Sequence, residues 1–160
     1  MAVSSFPASG GGGASKEGRI DYFSATGTWT APTGVSYAIV TLASGGGGGG
    51  GLFGNGSYGS SSSFDGFSLL GATHGSMGTG SNYTNGASGL ANTGQGGGSA
   101  TVTGYTGLEG KSSLPVRRGF IVTPETGYSL VVGAGGSGGG EGSGGSGGSG
   151  YLTVEYLVEV

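Results

Sequence analysis

The clearest hydrophobic pattern lies at the C-terminal end of the chain. Leu152, Val154, Tyr156, Val158 and Val160 alternate with Tyr151, Thr153, Glu155, Leu157 and Glu159. That period of two is what a half-buried antiparallel strand requires. Shorter apolar runs predict further strands at 18–25 (GRIDYFSA), 27–30 (GTWT), 99–105, 119–123 and 128–132. The run 36–43 (SYAIVTLA) is nearly continuous in apolar character, which predicts a strand covered on both faces. No window keeps apolar residues at helical spacing without a glycine interrupting it. Turns are expected at Ala31-Pro32-Thr33-Gly34, at Phe64-Asp65-Gly66 and at 123–127 (TPETG), where Pro, Asp and Gly supply turn geometry.

Between the strands lie glycine-rich segments, 44–98 and 133–150. The chain of 160 residues holds 45 glycines and 24 serines, a share that ordinarily predicts low complexity. Charge argues otherwise. Disordered chains usually resist collapse by charge, yet only 8% of this chain is charged, and between Tyr22 and Leu108 the sole formal charge is Asp65. The heptaglycine 45–51 reads either as a flexible linker or as a polyproline-II-like helix with three residues per turn. Ser143, Ser146 and Ser149 fall at a strict period of three, which on such a helix puts every serine on one edge and bare backbone on the other two. Both segments join strands inside a domain-sized chain, and long structureless loops are uncommon there. Packed glycine helices are the favoured reading.

These observations predict an all-β fold: an antiparallel β-sandwich-like scaffold with packed polyglycine-II-type segments and long Gly/Ser loops. Residues 1–17 form an N-terminal arm, attaching or disordered, and residues 18–160 one glycine-rich β domain. Few side chains are available to offset the ordering of so much glycine. Backbone hydrogen bonds among glycine segments, or burial against other subunits, must supply the rest, which favours assembly into a larger particle.

The chemistry-bearing motifs resolve into structural ones. Residues 133–138 match G-x-G-x-x-G, but no helix start follows to aim N–H groups at a pyrophosphate. Gly110-Lys111-Ser112 suggests a phosphate loop, but the required first glycine is Tyr105. Residues 123–127 resemble a sortase sorting signal, but no apolar span follows. His74 is the sole histidine, without a neighbouring carboxylate, and there is no cysteine. No catalytic set, metal set or cofactor is predicted. The start of the chain has no secretory pattern, no apolar run approaches a membrane span, and five scattered cations give no nucleic-acid footprint.

One segment has binding composition. Phe53, Tyr58, Phe67, His74, Met77 and Tyr83 are spaced among Gly, Ser, Thr and Asn, as in antibody binding loops, where rigid aromatics supply contact and small polar residues adapt. These six are the candidate receptor-binding residues. The competing reading is that they plug gaps between layers or protomers.

The order of features resembles a known family. Residues 22–35 (YFSATGTWTAPTGV), 39–42 (IVTL), the heptaglycine, 60–66 (SSSSFDG), 122–135 and 147–154 resemble the glycine-rich domain of tail fibres and adhesins of tailed bacteriophages. The resemblance covers roughly residues 20–160. It implies a virion structural protein, a tail-fibre or tail-tip component that contributes to host attachment and acts as no enzyme. It also implies other virion proteins as partners, a homo-oligomer with a trimer favoured, and a host surface glycan or outer-membrane protein as receptor. Nucleic acid and membrane insertion are not expected; the protein is made in the host cytoplasm and resides in the particle. In some relatives, variable loops between glycine helices bind the receptor; here the loops are small and uncharged. A capsid decoration or head-fibre protein and a free carbohydrate-binding module are the alternatives.

Overall fold

The computed structural model describes residues 15–51, 53–76, 83–84, 86–99, 101–102, 105–140 and 144–160. Its regular elements are all strands: β1 (Lys16–Phe23), β2 (Gly27–Thr30), β3 (Tyr37–Ala43), β4 (Ser62–Phe64), β5 (Phe67–Leu69), β6 (Tyr83–Thr84), β7 (Thr101–Val102), β8 (Tyr105–Thr106), β9 (Val116–Ile121), β10 (Gly127–Val131) and β11 (Tyr151–Glu159). Two antiparallel four-stranded sheets form a sandwich, ordered β1-β11-β3-β9 and β2-β10-β4-β5; β6-β7-β8 form a small third sheet.

The alternation of β11 places Leu152 and Val154 in the core. There they meet Val40 and Leu42 of β3, Trp29 of β2, Phe64 of β4 and Leu130 of β10. Trp29 anchors the centre. Its ring lies within 6.1 Å of Phe64, Tyr128 and Tyr156, and its Nε1 donates to the Asp21 carboxylate at 2.8 Å. That bond satisfies the one polar atom of the indole where burial would make an unpaired donor costly.

Three sequence expectations are adjusted. β1 starts at Lys16, inside the segment expected to be an arm, because β11 extends to Glu159 and pairs with it there. β9 starts three residues before the expected 119: Arg117 pairs with Glu155 on the outer face, and Arg118 lies 4.7 Å over the Phe67 ring. Both arginines break the apolar pattern while keeping the strand. β3 is covered on one face only, by the second sheet; Tyr37 is exposed and Ile39 half-buried on the other.

The expected turns form. Gly34 has φ 81° and Val35 N–H donates to Pro32. Asp65 and Gly66 have φ 44° and 81°, the pair of positive values that a two-residue type I′ hairpin needs. At 123–127 the Thr126 N–H donates to Thr123.

Six sandwich strands run directly into glycine segments stacked on one end of the sandwich. β3 continues into 45–51, β5 into 72–76 and β10 into 133–139, while 54–60, 108–113 and 144–150 lead into β4, β9 and β11.

Candidate functional site

The glycine segments form a hexagonal lattice around the heptaglycine. Every N–H from Gly45 to Gly51 donates at 2.9–3.0 Å, and the direction rotates with a period of three. Gly45, Gly48 and Gly51 donate to Ser60, Ser57 and Gly54; Gly46 and Gly49 donate to Gly148 and Gly145; Gly47 and Gly50 donate to Lys111 and Leu108. Acceptor numbers fall as donor numbers rise, so these three neighbours are antiparallel to the centre.

The carbonyls turn the other way. Those of Gly45 and Gly48 accept from Ala72 and Gly75, those of Gly46 and Gly49 from Gly136 and Gly139, and that of Gly47 from Gly97. These three neighbours are parallel to it. Three residues per turn, with donors and acceptors pointing three ways each, give six neighbours, as a polyproline-II geometry allows.

The ring also closes on itself. Gly59 bonds Ala72, Lys111 bonds Thr73, Gly110 bonds Gly97, Gly148 bonds Gln95, Gly147 bonds Gly136, and Ser60 bonds Ala134. Antiparallel and parallel segments therefore alternate around the hexagon. Segment 86–90 lies outside, bonded to Gly98 and Ser146.

The central segment is wholly buried. Among the described glycines, positive φ occurs at Gly34, Gly66, Gly94 and Gly140, so the central glycines are selected for close approach and not for φ. A methyl group on Gly46 would land on the Gln95 carbonyl, on Gly47 on that of Thr73, and on Gly48 on that of Ser137. In 144–150 the buried residues are Gly144, Gly145, Gly148 and Gly150, while Ser146 is exposed. Ser149 is half-buried, its hydroxyl accepting from Asn92 N–H and donating to Asn92 Oδ1, and Ser143 lies outside the described residues, so the exposed serine edge is seen at Ser146.

Serines also seal the junction between sandwich and lattice. Ser44 bonds Ser113 through both its N–H and its hydroxyl, and Ser62 donates to Ala43 and accepts from Gly133 N–H. All three serines are buried. The sequence reading missed them, although each stands where an apolar strand meets a glycine segment.

The six candidate receptor-binding residues do not converge. Phe53 is exposed at the far tip of the hairpin closed by the Gly51–Gly54 bridge, with φ 56°. Tyr58 and His74 stand on the flank where 54–60 meets 72–76, their rings edge-on at 4.7 Å. His74 Nδ1 lies 3.0 Å from the Gly75 carbonyl, so it is the nitrogen that donates there. Phe67 packs in the sandwich against Phe120 and Arg118, which is the gap-filling role. Met77 lies outside the described residues. Tyr83 belongs to β6, and its side chain is likewise outside them.

The far pole of the lattice is where 45–51 turns into 54–60, 133–139 into 144–150 and 94–98 toward 108–113. The opposite pole carries the turns at 31–36, 65–66 and 123–126 and the paired ends Ser15 and Val160, joined by Val160 N–H to Ser15.

The motifs that suggested nucleotide chemistry are spent on the lattice. Within 133–138 the Gly133 and Gly136 N–H groups bond Ser62 Oγ and the Gly46 carbonyl, and those of Gly110 and Lys111 bond Gly97 and Thr73, so these donors are already engaged within the protein. Among the described residues no three His, Asp or Glu side chains converge as metal ligands, and no helix is long and apolar enough to cross a membrane. No family model and no curated protein sequence matches this chain.

Proposed function

We propose that the chain is a structural protein of a bacteriophage particle, a tail-fibre or tail-tip component whose lattice is a rigid mount for the loops at its far pole. The closed hexagon around 45–51 carries this reading. Its backbone is its own packing surface, and a segment with every N–H bonded and no exposed edge offers proteases no extended strand to engage. Nothing catalytic is assigned to it. Phe53 and the neighbouring far loops contribute to attachment to a host glycan or outer-membrane protein, while the sandwich pole faces other virion proteins in a homo-oligomer, with a trimer favoured.

Purified particles probed by mass spectrometry and imaged with a label on this subunit should show it in the tail. Its absence from particles would overturn the proposal. A label on the capsid would identify a decoration or head-fibre protein instead, and glycan binding by the isolated monomer would favour a free carbohydrate-binding module.

A further inference from the structure

The first sheet, β1-β11-β3-β9, ends in two strands with an open side. Among the described residues no strand pairs with the outer side of β1 or of β9. The bonds beside each edge fix its phase. Val160 N–H donates to Ser15 and Val122 N–H to Ser36, so Ser15 and Val122 turn their backbones into the sheet. Direction alternates along a strand. Lys16, Gly18, Ile20 and Tyr22 of β1, and Arg117, Gly119 and Ile121 of β9, therefore turn N–H and C=O to the open edges. Edges of this kind are ordinarily blunted or covered. The side chains of the same residues lie on the outward face. Such a face is ordinarily polar, yet Ile20 is 63%, Leu157 58% and Ile121 90% exposed. Charges on it are matched within the chain: Arg117 pairs with Glu155 at 2.6 Å, and Lys16 faces Glu159 in register.

We infer that β1 of one copy pairs antiparallel with β9 of a second copy, and that three copies close into a ring around an axis parallel to the strands. Topology permits it. Successive antiparallel pairings make β1 and β9 run in opposite directions. A rotation about such an axis therefore brings the neighbour's β9 against β1 in the antiparallel sense, and a head-to-tail contact of this kind can close. Side chains select the register. With Ile20 set against the neighbour's Gly119, residues 18–23 meet all 6 residues of β9, and every open-edge residue faces another. Each glycine then faces an isoleucine. Ile121 enters the space above Gly18 beside Leu157, and Ile20 the space above Gly119, where the Tyr37 hydroxyl lies. Asp21 falls directly opposite Arg118, a favourable cross-strand pair. A two-residue slip one way opposes Arg19 to Arg118, and the other way leaves Asp21 opposite Phe120. The apolar outward face then lines the axis. The ring rests on the homo-oligomer proposed above and takes its three copies from it; what it adds is which edges meet.

The chain has no cysteine, so a paired substitution reads the contact directly. Gly18→Cys combined with Ile121→Cys should oxidise to covalent species that stop at three chains, because within one copy the two positions lie on opposite edges of the sheet. Either substitution alone should link nothing. Light scattering of the unsubstituted chain should give the mass of three copies. Ile121→Asp, outside the core, should lower that mass threefold while Trp29 fluorescence stays native, and the Gly18 and Ile20 amides should then exchange on the order of tenfold faster. A monomer at every concentration would overturn the inference, as would covalent dimers from Gly18→Cys alone, which would assign β1 to a copy of itself. A three-chain mass without the covalent ring would overturn the edge pairing and leave the homo-oligomer standing. Presence in the particle is decided separately, by mass spectrometry of purified particles.

Discussion

Gly48 contributes by having no side chain. Its N–H and carbonyl are both bonded, to Ser57 and Gly75, and the site of a Cβ is filled by the Ser137 carbonyl. Gly48→Ala should therefore cost about 3 kcal/mol or more, the upper end of overpacking effects, because backbone and not a flexible side chain must move. Gly27→Ala is the control: nothing lies within 4 Å of its Cβ position and its φ is not positive, so it should change stability by less than about 0.5 kcal/mol. Chemical denaturation of both variants checks the contrast. Tyr156 gives a pH prediction. Burial and the bond to Asp21 raise its pKa above the ordinary 10.0. The folded state thus holds this proton more tightly than the unfolded chain does. The associated stability is fully present below pH 10.0 and is lost as pH rises through the raised value. The denaturation midpoint should fall in that alkaline window, and Tyr156→Phe should flatten the descent. Asp21→Ala, which leaves Trp29 Nε1 without its charged acceptor, should cost roughly 1.5–3 kcal/mol at neutral pH.

Among elements, legibility followed the source of the pattern. β11 was legible because its pairing with both β1 and β3 leaves one face inward and one outward along its whole length, so side-chain alternation records it directly. β4 and β5 were not, since three residues each are too few to show a period; only the Asp65-Gly66 turn between them was visible. β9 was shortened by Arg117 and Arg118, whose partners Glu155 and Phe67 come from other strands and leave no local signature. Of the candidate site, the aromatic composition was legible but its geometry was not. Tyr58 and His74 meet because their segments are lattice neighbours, and Phe67 is drawn into the sandwich by a hairpin no periodicity announced.

For the whole molecule, continuity between strands and lattice predicts one cooperative unit. Six strands enter the lattice without a linker, and buried Ser44, Ser62 and Ser113 tie the junction. Trp29 is the single tryptophan and reports the sandwich, while the polyproline-II circular-dichroism band reports the lattice. The two unfolding curves should coincide within error. Two separated transitions would mean that the halves fold independently.

The sequence by itself determined that the chain is all-β and that its glycine runs are too uncharged and too placed between strands to be idle. Those features are local: alternation, turn residues and spacing are written in consecutive positions. Only the tertiary structure decided that 45–51 is the axis, that six particular segments surround it and that their polarities alternate. Glycine backbone is the same at every position, so nothing in a run of it names its partner. Which carbonyl meets which N–H is fixed by where the flanking strands emerge from the sandwich.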